Sequence, residues 1–344
     1  MKAVQRWAAA FAATLLLAAC DLSGPPPAPS PTVKPSATEG VVVGEKPAPL
    51  EITYNHHLIP SLAAPLFDEE LRTYYDLLVD AVLTGETSFP LPEGIKGRED
   101  SWRASAVFGN INPLGGLVYL SSSVDGSTQI VDYVFDAAEH ARRVAEMGPR
   151  AEELIAEILT TDANAVDAVL AVYQNLAQNT VYTQEGALTG PYGVIFEGEG
   201  MCVGFGAGST WLLEQAGFPV SHPATWDSGT WEIEGHTWFT ATLNGESYHF
   251  DPTFENGVTG GYGLMYFGMT DAERDAEGGY LPFALDWVDD VVASPTATDT
   301  GFAPLRETVF YHLDQSEHTV WAEMPDGDTL AFSTETLEVL DPAP

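Results

Sequence analysis

The chain has 344 residues, 45% of them hydrophobic, enough for a sizeable core in one large domain or two modest ones. Its 50 Asp and Glu face only 13 Lys and Arg, and the net charge of −37 argues against nucleic acid or anionic lipid as a direct partner. Two cysteines cannot build a disulfide framework, and the spacing of the acids supports no dedicated metal loop.

Residues 1–19 hold Lys2 and Arg6, then an apolar run from Trp7 that is too short and too poorly flanked for a membrane span. They read as a secretory leader. Its close, Leu17-Ala18-Ala19-Cys20, resembles a bacterial lipobox, so Cys20 is expected to carry lipid as the first residue of the mature protein. The alternative is plain cleavage that leaves Cys20 unmodified. No later run of about 20 apolar residues offers another anchor. Residues 20–50 are dense in Pro, Ser, Ala and Thr and read as a disordered tether.

From residue 51 the composition becomes globular, and residues 51–160 are expected to form an N-terminal α/β region. Apolar residues at 67, 71, 74, 75, 78 and 82 predict a helix over 67–83. Residues 104–119 and 130–135 read as strands, and 137–143 and 151–159 as helices. Asp162 is a candidate N-cap for a helix running to about residue 178. A glycine- and aromatic-rich loop, 182–200, then leads to residue 202.

Residues 198–220 place Cys202 just ahead of the apolar run Trp211-Leu212-Leu213, which stops at Gly217 before Pro219. That pattern predicts a short helix with the cysteine on its first turn. There the unpaired N–H groups and the helix dipole favour a thiolate, moving the pKa below the roughly 8.5 of an unperturbed cysteine. Gly200, Gly204, Gly206 and Gly208 leave room for close approach of another backbone or a substrate.

Asn244-Gly245 is a strong two-residue hairpin turn signal. Centred there, the register pairs 243 with 246, 241 with 248, 239 with 250 and 238 with 251. One face then carries Phe239, Ala241, Leu243, Tyr248 and Phe250 as core. The other carries His236, Trp238, Thr240, His249 and Asp251, with His236 and Asp251 diagonal neighbours roughly 7–8 Å apart. A turn one residue longer would put them on opposite faces.

These residues carry a resemblance. Gly-x-Cys-x-Gly at a helix start, then His236-x-Trp238, then Tyr248-His249-Phe250-Asp251-Pro252-Thr253, is similar to the transglutaminase-like superfamily in its bacterial branch. Met265-Tyr266-Phe267 followed by Thr270-Asp271 also resembles the family's continuation. The resemblance covers about the middle third of the chain. It implies an α+β fold with a papain-like core, the nucleophile-bearing helix packed on an antiparallel sheet. It also implies Cys202 as nucleophile, His236 as base and Asp251 as the residue that orients the base. For a second oxyanion donor beside the Cys202 N–H, the candidates are Asn179, Tyr182 and Tyr192.

On this reading residues 161–297 form the catalytic core, 294–300 a linker, and 298–344 a small β extension. The expected activity is thiol-dependent acyl transfer from a peptide or protein amide at the bacterial cell envelope, as a peptidase or amidase first and a cross-linker second. No cofactor and no metal are implied; zinc on Cys202, His236, His249 and Asp251 lacks close paired ligands. A lipid-anchored binding or scaffold module with the same fold and no activity is the alternative. For Trp238 two readings stand, a cover that keeps water from the site and simple packing across strands. Trp226 and Trp231, with His222 and Asp227, are assigned to a loop that could border a cleft. His249 is expected to be structural, and His56, His57, His140, His312 and His318 have no evident companions.

Overall fold

The computed structural model describes residues 48–340 except 99, 186, 187, 189, 220, 227–235, 277–282 and 285–295. The leader, Cys20, the tether up to residue 47, Trp231 and Asp227 therefore lie outside the described residues. Residues 48–50 do not belong to a loose tether. Pro49 bridges Thr160, and the Leu50 N–H donates to the Leu159 carbonyl at 2.8 Å.

Helix α1 (Glu69–Thr84) starts where Asp68 caps the Leu71 N–H and ends at Gly85 in the left-handed region, φ 77°. Its buried stripe, Leu71, Tyr74, Tyr75, Leu78 and Val82, follows the periodicity of the sequence. Strand β1 (Ser88–Pro90) follows. The expected strand at 104–119 is instead helix α2 (Trp102–Asn110), a 3-10 turn (Pro113–Leu117) and strand β2 (Val118–Ser122). Ala104, Val107, Phe108 and Ile111 are all buried at the spacing i, i+3, i+4, i+7, so the helical period was present beneath residues of high β propensity. Strand β3 (Thr128–Tyr133) lies between β1 and β2 in an antiparallel sheet.

Helix α3 (Ala137–Ile158) runs unbroken through Pro149, where two shorter helices were expected. Helix α4 (Ala165–Asn179) is capped by Asn164 rather than Asp162. Asn164 and Asp167 cap one another reciprocally, and no such box is available to Asp162. Strand β4 (Val181–Tyr182) pairs in parallel with β5 (Glu199–Gly200), and a π-helical turn (Gly193–Glu197) occupies much of the loop between them.

Helix α5 (Cys202–Gln215) is apolar on every side and buried along almost its whole length. It is a wall between two apolar cores. Trp211 joins the core built from residues 54–151, whereas Phe205, Leu212 and Leu213 join the one built on α4 and the sheet that follows.

The succeeding elements are β6 (Ser221–Trp226), β7 (His236–Leu243), β8 (Glu246–Phe250), α6 (Pro252–Thr259), β9 (Phe267–Met269), α7 (Asp271–Ala276) and β10 (Phe283–Ala284). Among the described residues they form a five-stranded antiparallel sheet of order β10-β6-β7-β8-β9. Residues 221–226 are thus a strand, not the loop expected for His222 and Trp226, and Trp226 stands opposite His236 in register. The stretch 296–300 is not a slack linker, since Ala297 is buried and its carbonyl accepts from the Asp271 N–H at 2.8 Å.

Strands β11 (Phe310–Asp314), β12 (Thr319–Glu323), β13 (Thr329–Ser333) and β14 (Val339–Leu340) form an antiparallel meander. Its Tyr311, Val320, Ala322 and Phe332 share the second core with Phe250 and Phe267. The chain is α+β, with helices packed on antiparallel sheets. Among the described residues no helix is long and apolar enough to cross a membrane.

Candidate active site

The β7–β8 hairpin turns on Asn244 and Gly245, both at positive φ, 53° and 88°. A type I′ turn requires that geometry, and it produces the expected register: 243 opposite 246, 241 opposite 248 and 239 opposite 250. The ladder stops there, so the expected pairing of Trp238 with Asp251 does not form. Asp251 leaves the strand to become the N-cap of α6, its Oδ1 accepting the Phe254 N–H at 3.0 Å. The expected core face forms: Phe239, Ala241, Leu243, Tyr248 and Phe250 lie together in the second apolar core. The opposite face is buried too, since Trp238, Thr240 and His249 are as inaccessible as Phe239 and Phe250.

Asp251 and His236 do meet. Nε2 of His236 and Oδ2 of Asp251 are 2.6 Å apart, with the side chains 4% and 0% exposed. This is the short distance of a charge-assisted hydrogen bond. Burial by itself would push the Asp251 carboxyl up, but His236, the Arg274 guanidinium and the Phe254 N–H outweigh it, and the net shift is downward. Asp251 is therefore ionised at neutral pH. The imidazole stacks on Phe254 (ring centroids 4.3 Å apart, planes within 13°) with Trp238 also flanking it at 5.9 Å. Since Asp251 engages Nε2, Nδ1 is the nitrogen through which the ring can exchange a proton with a nucleophile.

Cys202 is the first residue of α5 and is buried, 5% exposed. Its N-cap, Met201, makes no side-chain capping hydrogen bond, and the Met201 carbonyl accepts the Gly204 N–H at 2.8 Å. One turn further on, Gly206 lies against β7 so closely that a Cβ there would stand 2.8 Å from the Trp238 carbonyl oxygen and 3.2 Å from Thr237 Cγ2. Cys202 is one helical turn, and His236 two strand residues, from this contact. The helix start and the strand start are thereby held together by a backbone approach that only glycine permits.

The oxyanion candidates separate. Asn179 is exposed at the end of α4. Tyr192 belongs to the other core, where its hydroxyl accepts from Arg143 of α3 at 3.3 Å and its ring packs on Phe196. Tyr182 is half-buried and stands opposite Gly200 in the β4–β5 pair, two residues before Cys202. Trp238 packs behind the imidazole, its Nε1 donating to His249 Nδ1 at 2.9 Å, while His249 Nε2 reaches Asp271 at 2.8 Å. A ring whose Nδ1 accepts must be neutral at that atom, and burial lowers the His249 pKa against the pull of Asp271. His249 is a structural bridge between β8 and α7.

The sequence missed three neighbours: Phe254 under the imidazole, Glu255 behind Asp251, and Arg274. Glu255 accepts from the Tyr173 hydroxyl and the Tyr266 N–H, each at 2.8 Å. Arg274 carries the only available signal, a cation in a strongly acidic chain. Two histidines read as companionless are paired: His57 with Asp76 at 3.0 Å, and His318 with Asp167 at 2.6 Å. Among the described residues no three His, Cys, Asp or Glu side chains gather into a metal site.

No family model and no curated protein matches the chain. Among solved structures, a protein of Cytophaga hutchinsonii provisionally assigned as a cysteine protease is similar at 14% identity and a TM-score of 0.26. That similarity covers 41% of this chain and 62% of the other.

Proposed function

We propose that the protein is a thiol-dependent acyl-transfer enzyme acting on a peptide or protein amide, with Cys202, His236 and Asp251 as its working residues. The observation that carries the reading is the buried 2.6 Å contact between His236 and Asp251 on a strand clamped to the start of the Cys202 helix. The resemblance to the transglutaminase-like superfamily, with its papain-like core, rests on the same residues and is in keeping with a helix-borne cysteine packed on an antiparallel sheet.

In this mechanism His236 Nδ1 takes the thiol proton and the sulfur attacks the amide carbonyl carbon, moving the carbonyl electron pair onto oxygen. The Cys202 N–H and the helix dipole stabilise that oxyanion. The protonated imidazole then gives its proton to the departing amine as the C–N bond breaks, leaving a thioester on Cys202. Asp251 holds Nε2–H throughout, which fixes the tautomer and stabilises the imidazolium. Water or a second amine releases the acyl group. Hydrolysis, as a peptidase or amidase, is the preferred outcome, with transamidation second. Tyr182 is the preferred side-chain oxyanion donor because β4 aligns it with Gly200. The setting is the outer side of a bacterial membrane, with lipid on Cys20 as the anchor.

Alkylation by iodoacetamide at neutral pH tests this directly. Cys202 is expected to react well above the rate of a small-molecule thiol, and His236→Ala to abolish the excess. Labelling at the rate of an unperturbed cysteine, in folded protein, sinks the enzyme and leaves a scaffold. Incorporation of a fluorescent amine into a glutamine-bearing protein separates cross-linker from hydrolase.

A further inference from the structure

Arg274, in α7, is one of 13 Lys and Arg in the chain and is only 3% exposed. Its Nη2 lies 3.7 Å from Asp251 Oδ2, the same oxygen that holds His236. Its guanidinium carbon sits 4.3 Å from the centre of the Trp238 ring and 5.0 Å from that of Phe254, the two rings that flank the imidazole. Among the described residues Nε and Nη1 have no hydrogen-bond partner. A buried cation so sparsely bonded is costly.

Fastening α7 does not require it. Thr270 and Glu273 cap one another at 2.7–3.2 Å, Arg306 reaches Glu273, and Asp271 accepts from His249 and from the Ala297 N–H. What Arg274 alone supplies is positive charge at Asp251.

We propose that Arg274 is a positioning residue that sets the charge balance of the His236–Asp251 pair, offsetting the carboxylate so that the imidazole exchanges its proton near neutral pH. A buried carboxylate acting alone holds an imidazolium tightly, since an opposite charge at such range shifts a pKa by roughly 1–3 units. With Arg274 also at Oδ2 of the carboxylate, the cluster presents His236 with an almost neutral pair. The ring is oriented by Asp251 without being locked in its protonated form.

The other groups facing this cluster do not replace Arg274. His249, from β8, is neutral and bonded to Trp238 and Asp271. Glu255, from α6, adds negative charge and is held by Tyr173 of α4 and the Tyr266 N–H. On the acyl-transfer reading Cys202, from α5, brings a thiol or thiolate, neither of which replaces a positive charge. Among the described residues Arg274 is the only guanidinium or ammonium paired with Asp251.

The inference takes its functional meaning from the acyl-transfer reading, but its test does not depend on sulfur chemistry. In the full chain with ¹⁵N-labelled histidine, the His236 ring is titrated by NMR in the wild type and in Arg274→Met, Arg274→Gln and Arg274→Lys. Met and Gln remove the charge, Gln keeping a polar contact to Asp251, so either serves if the other fails to fold. Both are expected to raise the His236 titration midpoint by about one pH unit, a tenfold gain in proton affinity. Lys keeps the charge and is expected to stay near wild type. The pH profile of Cys202 alkylation should move to higher pH with Met and Gln, because the sulfur loses the same positive field. Superposable His236 titrations for wild type and a folded charge-removing variant overturn the proposal. Slow alkylation of wild-type Cys202 would defeat the acyl-transfer reading instead, and the His236 titration would still decide the role of Arg274.

Discussion

Gly206 of α5 meets the main-chain carbonyl of Trp238 in β7 at a separation that a Cβ would close to 2.8 Å. The obstacle is backbone, which cannot swing aside as a side chain can. Gly206→Val is expected to lower stability by about 1–3 kcal/mol through overpacking, and to slow Cys202 alkylation by shifting the helix start. Gly208 is the control, since its Cβ would find side-chain carbons alone nearest it, Ile195 Cγ1 at 3.4 Å, Ile195 Cδ1 at 3.7 Å and Val194 Cγ1 at 3.8 Å, all at ordinary contact distance. Gly208→Ala should be neutral or stabilising by up to about 1 kcal/mol from helix propensity. Urea unfolding of the two variants checks the pair, and equal losses would refute the contact.

The Tyr173 hydroxyl donates a hydrogen bond to Glu255, 2.8 Å away. Burial raises the Glu255 carboxyl, against the donors that lower it. A raised folded-state pKa means that Glu255 contributes stability below its unfolded value, and that this contribution is lost as pH rises through the folded value. Tyr173→Phe removes a donor from the ionised form, so it should cost about 1–3 kcal/mol at pH 8 and clearly less at pH 4. Denaturant melts at the two pH values measure this; identical losses would show that the hydroxyl does not face a titrating group.

His318 joins the C-terminal meander to α4 through Asp167, whose Oδ1 also accepts from Thr334 at 2.6 Å. The hydrogen bond to Asp167 raises the His318 pKa, with burial opposing it. The stabilisation is therefore complete below about pH 6.5, the unfolded value, and fades as pH climbs through the folded value. His318→Gln should reduce the melting temperature at pH 6 and have much less effect at pH 9. A reduction that is independent of pH would count against a protonated His318.

Gln215, in the last turn of α5, both accepts from the Asn55 N–H at 2.9 Å and donates to the Asn55 carbonyl at 2.7 Å. Next to it, Glu214 takes the Ser61 N–H at 3.0 Å and hydroxyl at 2.9 Å. Gln215→Ala is expected to speed limited proteolysis within residues 55–61 several-fold while Cys202 alkylation stays at the wild-type rate. Unchanged cleavage would mean that these bonds do not hold the segment.

Local rules were legible wherever neighbours in sequence are also neighbours in space. Asn244-Gly245 dictated a turn, and the turn dictated the β7–β8 register up to Phe239 and Phe250, because side-chain period and loop length leave no other parity. The stripe of α1 and the approach of a helix start to Cys202 were readable for the same reason. At 104–111 the helical spacing was present, yet residues of strand preference masked it, since propensity is worth little against burial of four apolar side chains.

By itself the sequence determined the order Cys202, His236, Asp251 and the two local structures that carry them. Only the tertiary structure decided what surrounds those residues. Asp251 could leave its strand to cap α6, Phe254 could stack on the imidazole, and Arg274 could come to rest 3.7 Å from the carboxylate once α7 folded back over the sheet. Electrostatics acts through space, and 22 residues of intervening chain give no hint that a guanidinium and a carboxylate are buried side by side.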